Sequence, residues 1–95
     1  MTASHRLANL KKIHAAKEAD IIRLASHEKT PTRQKQLIYA CLNNMCQISA
    51  VLYGELSSEP ANYELLDEAA ELDRELVRLR SFVGSQISLR LESVA

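Results

Sequence analysis

The chain has 95 residues, of which 46% are hydrophobic and 25% charged, and it contains only two glycines and two prolines. This length supports one domain with a core large enough to fold without disulfides, and the scarcity of glycine, proline, threonine and valine argues against long loops and against a sheet fold. The formal net charge is zero, but residues 1–40 carry eight basic and three acidic side chains, whereas residues 41–95 carry four basic and nine acidic ones.

The first predicted helix covers about residues 4–27. Thr2 or Ser4 can cap its start, and an apolar stripe recurs at helical spacing through Leu7, Leu10, Ile13, Ile21 and Leu24. His14 interrupts this stripe, and Glu18 follows it by one turn. Two ligands at this spacing without a third do not make a metal site, so we interpret His14 as a packing or surface-paired histidine.

The second predicted helix covers about residues 31–56, with Thr30 as its cap and Pro31 at its first position. A stripe with strict three- and four-residue spacing predicts its core side through Ile38, Cys41, Met45, Ile48 and Leu52. The third predicted helix begins near Pro60, after Ser58 as a cap, and reaches about residue 83. Its apolar stripe consists of Leu65, Ala69, Leu72, Leu76, Leu79 and Val83.

The residues after Gly84 fit two periods. Ile87, Leu89 and Leu91 alternate with polar residues as in a strand, while Ile87, Leu91 and Val94 fit a continuing helix. We favour a helix that continues to about residue 93. The predicted fold is therefore all-α, an antiparallel three-helix bundle or a helical hairpin plus a flanking helix, in one domain over residues 1–95.

The most informative feature is the run from Gln36 to Gly54, which contains no charged residue. Apolar surface left in water is costly, and two other helices do not cover a helix that is apolar on most sides. We therefore expect self-association or a protein partner at residues outside the predicted core stripe, namely Leu37, Tyr39, Leu42, Cys46, Val51, Tyr53 and Leu56. The central amides of Asn43, Asn44 and Gln47 argue against a membrane span.

No catalytic, metal-binding or cofactor-binding motif is recognised in the sequence, so we predict a protein that is not an enzyme and needs no cofactor. Cys41 and Cys46 are five residues apart on one predicted helix, where they cannot bridge each other. We expect both thiols to be buried in a reducing compartment. Since the first residues also lack the apolar core of a signal peptide, the predicted location is the cytoplasm.

One stretch carries a family resemblance. Gly54-Glu-Leu-Ser-Ser-Glu-Pro-Ala-Asn-Tyr63, followed by Glu-Leu-Leu-Asp-Glu-Ala-Ala, resembles the helix–turn–helix junction of the small helical co-chaperones of type III secretion needle subunits. This resemblance covers about residues 37–83, and the present chain has an additional long first helix. It implies a cytoplasmic bacterial protein that works beside a second chaperone and keeps an aggregation-prone subunit soluble.

The sequence therefore predicts a non-catalytic interaction module, a small chaperone or adaptor that covers an apolar helix of a partner. Two alternatives remain open at this stage. One is a DNA-associated regulator that uses its basic half and the cluster of Lys29, Arg33 and Lys35, although the acidic second half would repel phosphate. The other is a structural homodimer.

Overall fold

The computed structural model describes residues 2–58 and 63–94, with side chains described up to residue 89. It contains three helices, α1 (Ala3–Ser26), α2 (Thr32–Ser57) and α3 (Tyr63–Val94). All three pack against one another, which confirms the predicted all-α bundle. The particle is elongated, with extents of 52 × 21 × 17 Å.

The helix ends follow local capping chemistry. The Thr2 hydroxyl accepts a hydrogen bond from the His5 backbone N–H, as predicted for one of two candidate caps. Thr30, in contrast, does not cap α2. Pro31 occupies the cap position with no side-chain hydrogen bond, and its carbonyl accepts the Lys35 N–H instead. The predicted roles of Ser58 and Pro60 at the start of α3 involve residue 60, which lies outside the described residues.

Contacts between named side chains fix the directions of the helices. Arg6, near the start of α1, forms an ion pair with Glu55, near the end of α2, so these two helices are antiparallel. The Arg80 guanidinium of α3 donates a 2.9 Å hydrogen bond to the Asn43 side chain of α2, consistent with a second antiparallel pair. The chain thus runs up, down and up.

The core contains two clusters of buried side chains along the bundle axis. The first combines residues from the start of α1, the second half of α2 and the start of α3, namely Leu7, Leu10, Cys46, Leu52, Leu56, Ala69, Leu72 and Leu76. The second lies nearer the other end of the bundle and consists of Ala25, Leu42, Leu79 and Val83.

The predicted apolar stripe of α3 is confirmed, because all of its members are buried except the partly buried Leu65. The helical alternative for the residues after Gly84 is also confirmed, since α3 continues to Val94. In α1 the prediction is wrong for Ile13, which is half-exposed, while Ala25 is completely buried. No helix within residues 2–58 and 63–94 combines the length and the apolar character that a membrane span requires.

Candidate helix-binding face of the second helix

The side of α2 that packs into the bundle matches the predicted core stripe only in part, since Leu52 is buried and Ile38 and Met45 pack against the core clusters. Its buried apolar side chains are Leu42, Cys46, Leu52 and Leu56, together with the polar Lys35 and Ser49. Two members of the predicted core stripe lie at the surface, since Cys41 is exposed and Ile48 is 44% exposed. The true core side is thus rotated around the helix from the predicted one.

This rotation corrects three predicted partner-binding residues. Leu42 is 1% exposed, and Cys46 and Leu56 are also buried, because they face α1 and α3 within the chain's own core. Their assignment to a surface outside the core is wrong. The other four predicted residues, Leu37, Tyr39, Val51 and Tyr53, are exposed.

Three of the exposed apolar residues of α2, Leu37, Ile48 and Val51, form a stripe that we call the outer face. Leu37 is 63% exposed and Val51 58% exposed, and Ile48 lies beside them. Positions seven residues apart are rotated by only about 20° on a straight helix, so Leu37, Asn44 and Val51 follow one line. Ile48 was missed as a surface residue because its spacing also fits the predicted core stripe.

Charged residues bound the outer face at both ends. Arg33 precedes Leu37 by one turn and Glu55 follows Val51 by one turn, so both lie in phase with the stripe. Arg33 is exposed, and the Glu55 carboxylate pairs with Arg6 of α1. These two charges were the sequence signal for the solvent side of α2, since a charged side chain in phase with a stripe rarely lies in a core.

The exposed surface continues from α2 onto α1. Ile13 follows Arg6 by seven residues, and Ile48 precedes Glu55 by seven residues. Because Arg6 and Glu55 pair in an antiparallel arrangement, the register places Ile13 level with Ile48. Ile13 is 49% exposed, so it adds a fourth exposed apolar side chain at the edge of the outer face.

Tyr39 of α2 lies on the side nearer α3, and Tyr53, two heptads further along, is also out of line with the outer face. An added Cβ at Gly84 would lie 3.3 Å from Cε2 of Tyr39, which shows that the Tyr39 ring packs directly over this glycine. Tyr39, Gly84 and Leu89 also line an open groove of about 840 Å³ between α2 and α3, completed by Ser81, Ser85, Ile87 and Ser88. This groove offers hydroxyls and apolar groups but no acid–base pair among its described lining residues.

The basic cluster at the junction of α1 and α2 is smaller than predicted. Lys35 is 3% exposed, so its ammonium group does not face a ligand in solvent. Only Lys29 and Arg33 of the three lie at the surface. Two cations provide little of the counterion release that drives nucleic-acid binding.

A separate polar cluster surrounds His14, which is buried between α1 and α3. Its Nε2 lies 3.5 Å from Glu18 and its Nδ1 3.6 Å from Glu75, while Nε2 has no hydrogen-bond partner. Between the same two helices the Lys11 ammonium lies 3.6 Å from the Glu68 carboxylate. Among the residues described by the structure, no three His, Cys, Asp or Glu side chains are placed so that they could hold a metal ion, so this cluster is interpreted as interhelical pairing.

The two cysteines differ in environment. Both thiols are free, with Cys41 exposed and Cys46 buried, so the prediction that both are buried is wrong for Cys41. Burial raises the pKa of the Cys46 thiol, partly opposed by the nearby Arg80 guanidinium, while Asp73 adds to the rise. The Cys46 thiol is therefore a protonated packing group at neutral pH and not an activated nucleophile.

Comparisons with family models, with curated proteins and with solved structures find no match to this chain.

Proposed function

We propose that the chain is a non-catalytic helical interaction module, a small chaperone or adaptor whose outer face binds an apolar helix of a partner protein. The observation that supports this proposal is the stripe of Leu37, Ile48 and Val51, which is exposed on a helix segment without a single charged residue. Ile48 precedes Val51 by three residues and Leu37 lies two heptads before Val51, so the three side chains share one side of the helix, which is the form in which helices pack against helices.

The apolar side chains of the outer face contribute a limited amount of free energy when a partner covers them. Complete burial of a leucine, isoleucine or valine side chain is worth about 1.5–3 kcal/mol. Because Leu37, Ile48 and Val51 are each about half-exposed, covering all three contributes about 3 kcal/mol before the costs of association. This contribution is smaller than the roughly 4–15 kcal/mol that association costs, so the apolar side chains of the partner must supply the rest, and we expect a weak and reversible contact.

The resemblance to type III secretion co-chaperones supports the same proposal. It also suggests that the client is a secretion subunit and that the protein is located in the cytoplasm. Tyr63, which carries part of that resemblance, is the first residue of α3 and is exposed. The DNA-associated alternative has no comparable support, because Lys35, one of the three cations on which it depends, is buried.

A fluorescent peptide tests the proposal. The chain contains no tryptophan, so a synthetic, uncharged amphipathic helix with a leucine face and one tryptophan can be followed by its own emission. We expect a blue shift on titration with the protein, and we expect Val51→Asp to weaken binding at least about tenfold because it places a charge in the contact.

Leu89→Asp is the matched control. Leu89 lies on α3 with the same exposed fraction as Val51, 58%, but far around the bundle from the outer face, and this variant should bind the peptide like the wild type. Circular dichroism of both variants shows whether the fold is retained. Equal binding by the wild type and Val51→Asp, or no binding by the wild type, would contradict the proposal.

A further inference from the structure

The outer face is symmetric about Asn44. Leu37 precedes Asn44 by seven residues and Val51 follows it by seven, while Arg33 precedes it by eleven and Glu55 follows it by eleven. Seven and eleven residues are each within about 20° of whole helical turns, so the five positions lie on one narrow strip. An apolar residue on one side of Asn44 is thus matched by an apolar residue on the other, and a cation by an anion.

We propose that the outer face binds α2 of a second copy of this chain, antiparallel, about a two-fold axis near Asn44. A two-fold interface uses the same patch on both partners and therefore requires a self-complementary patch. Here the Leu37 end of one α2 meets the Val51 end of the other. The inference depends on the proposed function, because it names the helix that covers the face when no client is bound.

Charge selects this partner and this direction. In the antiparallel arrangement Arg33 of each copy meets the end of the other copy that carries Glu55, where it joins the existing pair of Glu55 and Arg6. A parallel arrangement would place Arg33 beside Arg33 and Glu55 beside Glu55, and like charges in contact suppress pairing. Residues 36–54 between these ends are uncharged, so they need no charged partner.

Asn44 fits the centre of such an interface. It is exposed and stands in line with the apolar residues of the stripe. An asparagine amide both donates and accepts hydrogen bonds, so two Asn44 side chains related by a two-fold axis can pair with each other. A single polar residue in an apolar helical seam fixes the register of the two helices at some cost in stability.

The size of the contact predicts its strength. The uncharged run of 19 residues spans about 28 Å of helix, and a single helix pair of this length buries less than the roughly 800 Å² per partner of a standard interface. We therefore expect a dimer with a dissociation constant of about 10 μM or weaker, which a client helix can displace.

Sedimentation velocity over about 5–500 μM covers this range of affinity. We expect a shift from monomer to dimer for the wild type, and at least a fivefold weaker dimer for Arg33→Glu, which faces Glu55 of the other copy. Lys12→Glu makes the same change of charge at an exposed position of α1 and should dimerise like the wild type. A wild type that stays monomeric at the highest concentration, or equal weakening by both variants, would overturn the inference.

Disulfide trapping tests the direction of the pairing. In a Cys41→Ser background, one chain carries Leu37→Cys and a second chain carries Val51→Cys. A third chain with Ile48→Cys replaces the second one to test the register shifted by one turn. Mixing the two chains in a glutathione buffer should give the mixed disulfide, because the antiparallel arrangement brings position 37 near positions 48 and 51 of the other copy. A parallel dimer would give disulfides between identical positions, which would overturn the inference.

The two proposals fail separately. A chain that binds the tryptophan peptide through Val51 but remains monomeric refutes the second copy and leaves the helix-binding function intact. A chain that dimerises as described but does not bind the peptide supports the second copy and refutes the broader function.

Discussion

Alanine substitutions on the two sides of α2 give the sharpest test of which side faces the core. Leu42 is 1% exposed and packs in the cluster of Ala25, Leu79 and Val83, whereas Ile48 is 44% exposed. Leu42→Ala removes buried methyl groups and leaves a cavity, which costs about 3 kcal/mol. Ile48→Ala removes groups that are already half in water and gains helix propensity, so its net cost is about 0.5–1 kcal/mol.

Thermal unfolding followed by circular dichroism measures both values. For a domain of this size, the expected fall in Tm is about 15 °C for Leu42→Ala and about 5 °C or less for Ile48→Ala. The protein concentration should be about 2 μM, because dimerisation through the outer face would add apparent stability at higher concentration. A larger cost for Ile48→Ala than for Leu42→Ala would refute the orientation of α2, since it would return Ile48 to the core.

The glycines and cysteines give further predictions. An added Cβ at Gly54 meets nothing within 4 Å, so Gly54→Ala should stabilise the protein by about 1 kcal/mol in urea unfolding. Gly84→Ala should gain less, because its Cβ presses on the Tyr39 ring at 3.3 Å; an equal gain would contradict this contact. In native protein at neutral pH, a thiol reagent should modify the exposed Cys41 much faster than the buried Cys46, as measured by peptide mass spectrometry. Since burial raises the pKa of Cys46 in the folded state, its contribution to stability is full at neutral pH and is lost as the pH rises above the unfolded thiol's pKa, a loss that Cys46→Ala should remove.

The number, order and approximate ends of the helices were predictable because each is encoded locally. In α3 one apolar stripe is flanked by acidic and basic residues on the other sides of the helix, so only one side of α3 can face the core. The start of α2 was misplaced by one residue at Thr30, because Pro31 itself has extended backbone, with ψ 144°, and takes the cap position in place of the first helical position that proline often occupies.

The orientation of α2 could not be read from its apolar spacing. Two stripes with three- and four-residue steps run along the uncharged segment, one through Ile48 and one through Leu42, and both satisfy helical periodicity. Contacts from other helices decide between them, including the hydrogen bond from Arg80 to Asn43 and the ion pair from Arg6 to Glu55. Such interhelical pairs have no local signature, so three core residues were predicted as a binding surface while Ile48 was predicted as core.

The methyl NMR spectrum of the protein, titrated with the tryptophan peptide, tests the central claim most directly, because it maps the bound surface residue by residue. The proposed function predicts shifts concentrated at the methyl groups of Leu37, Ile48 and Val51, with the equally exposed Leu89 unchanged. Shifts concentrated at Leu89 and the groove beside Tyr39, with the outer face unchanged, would contradict it.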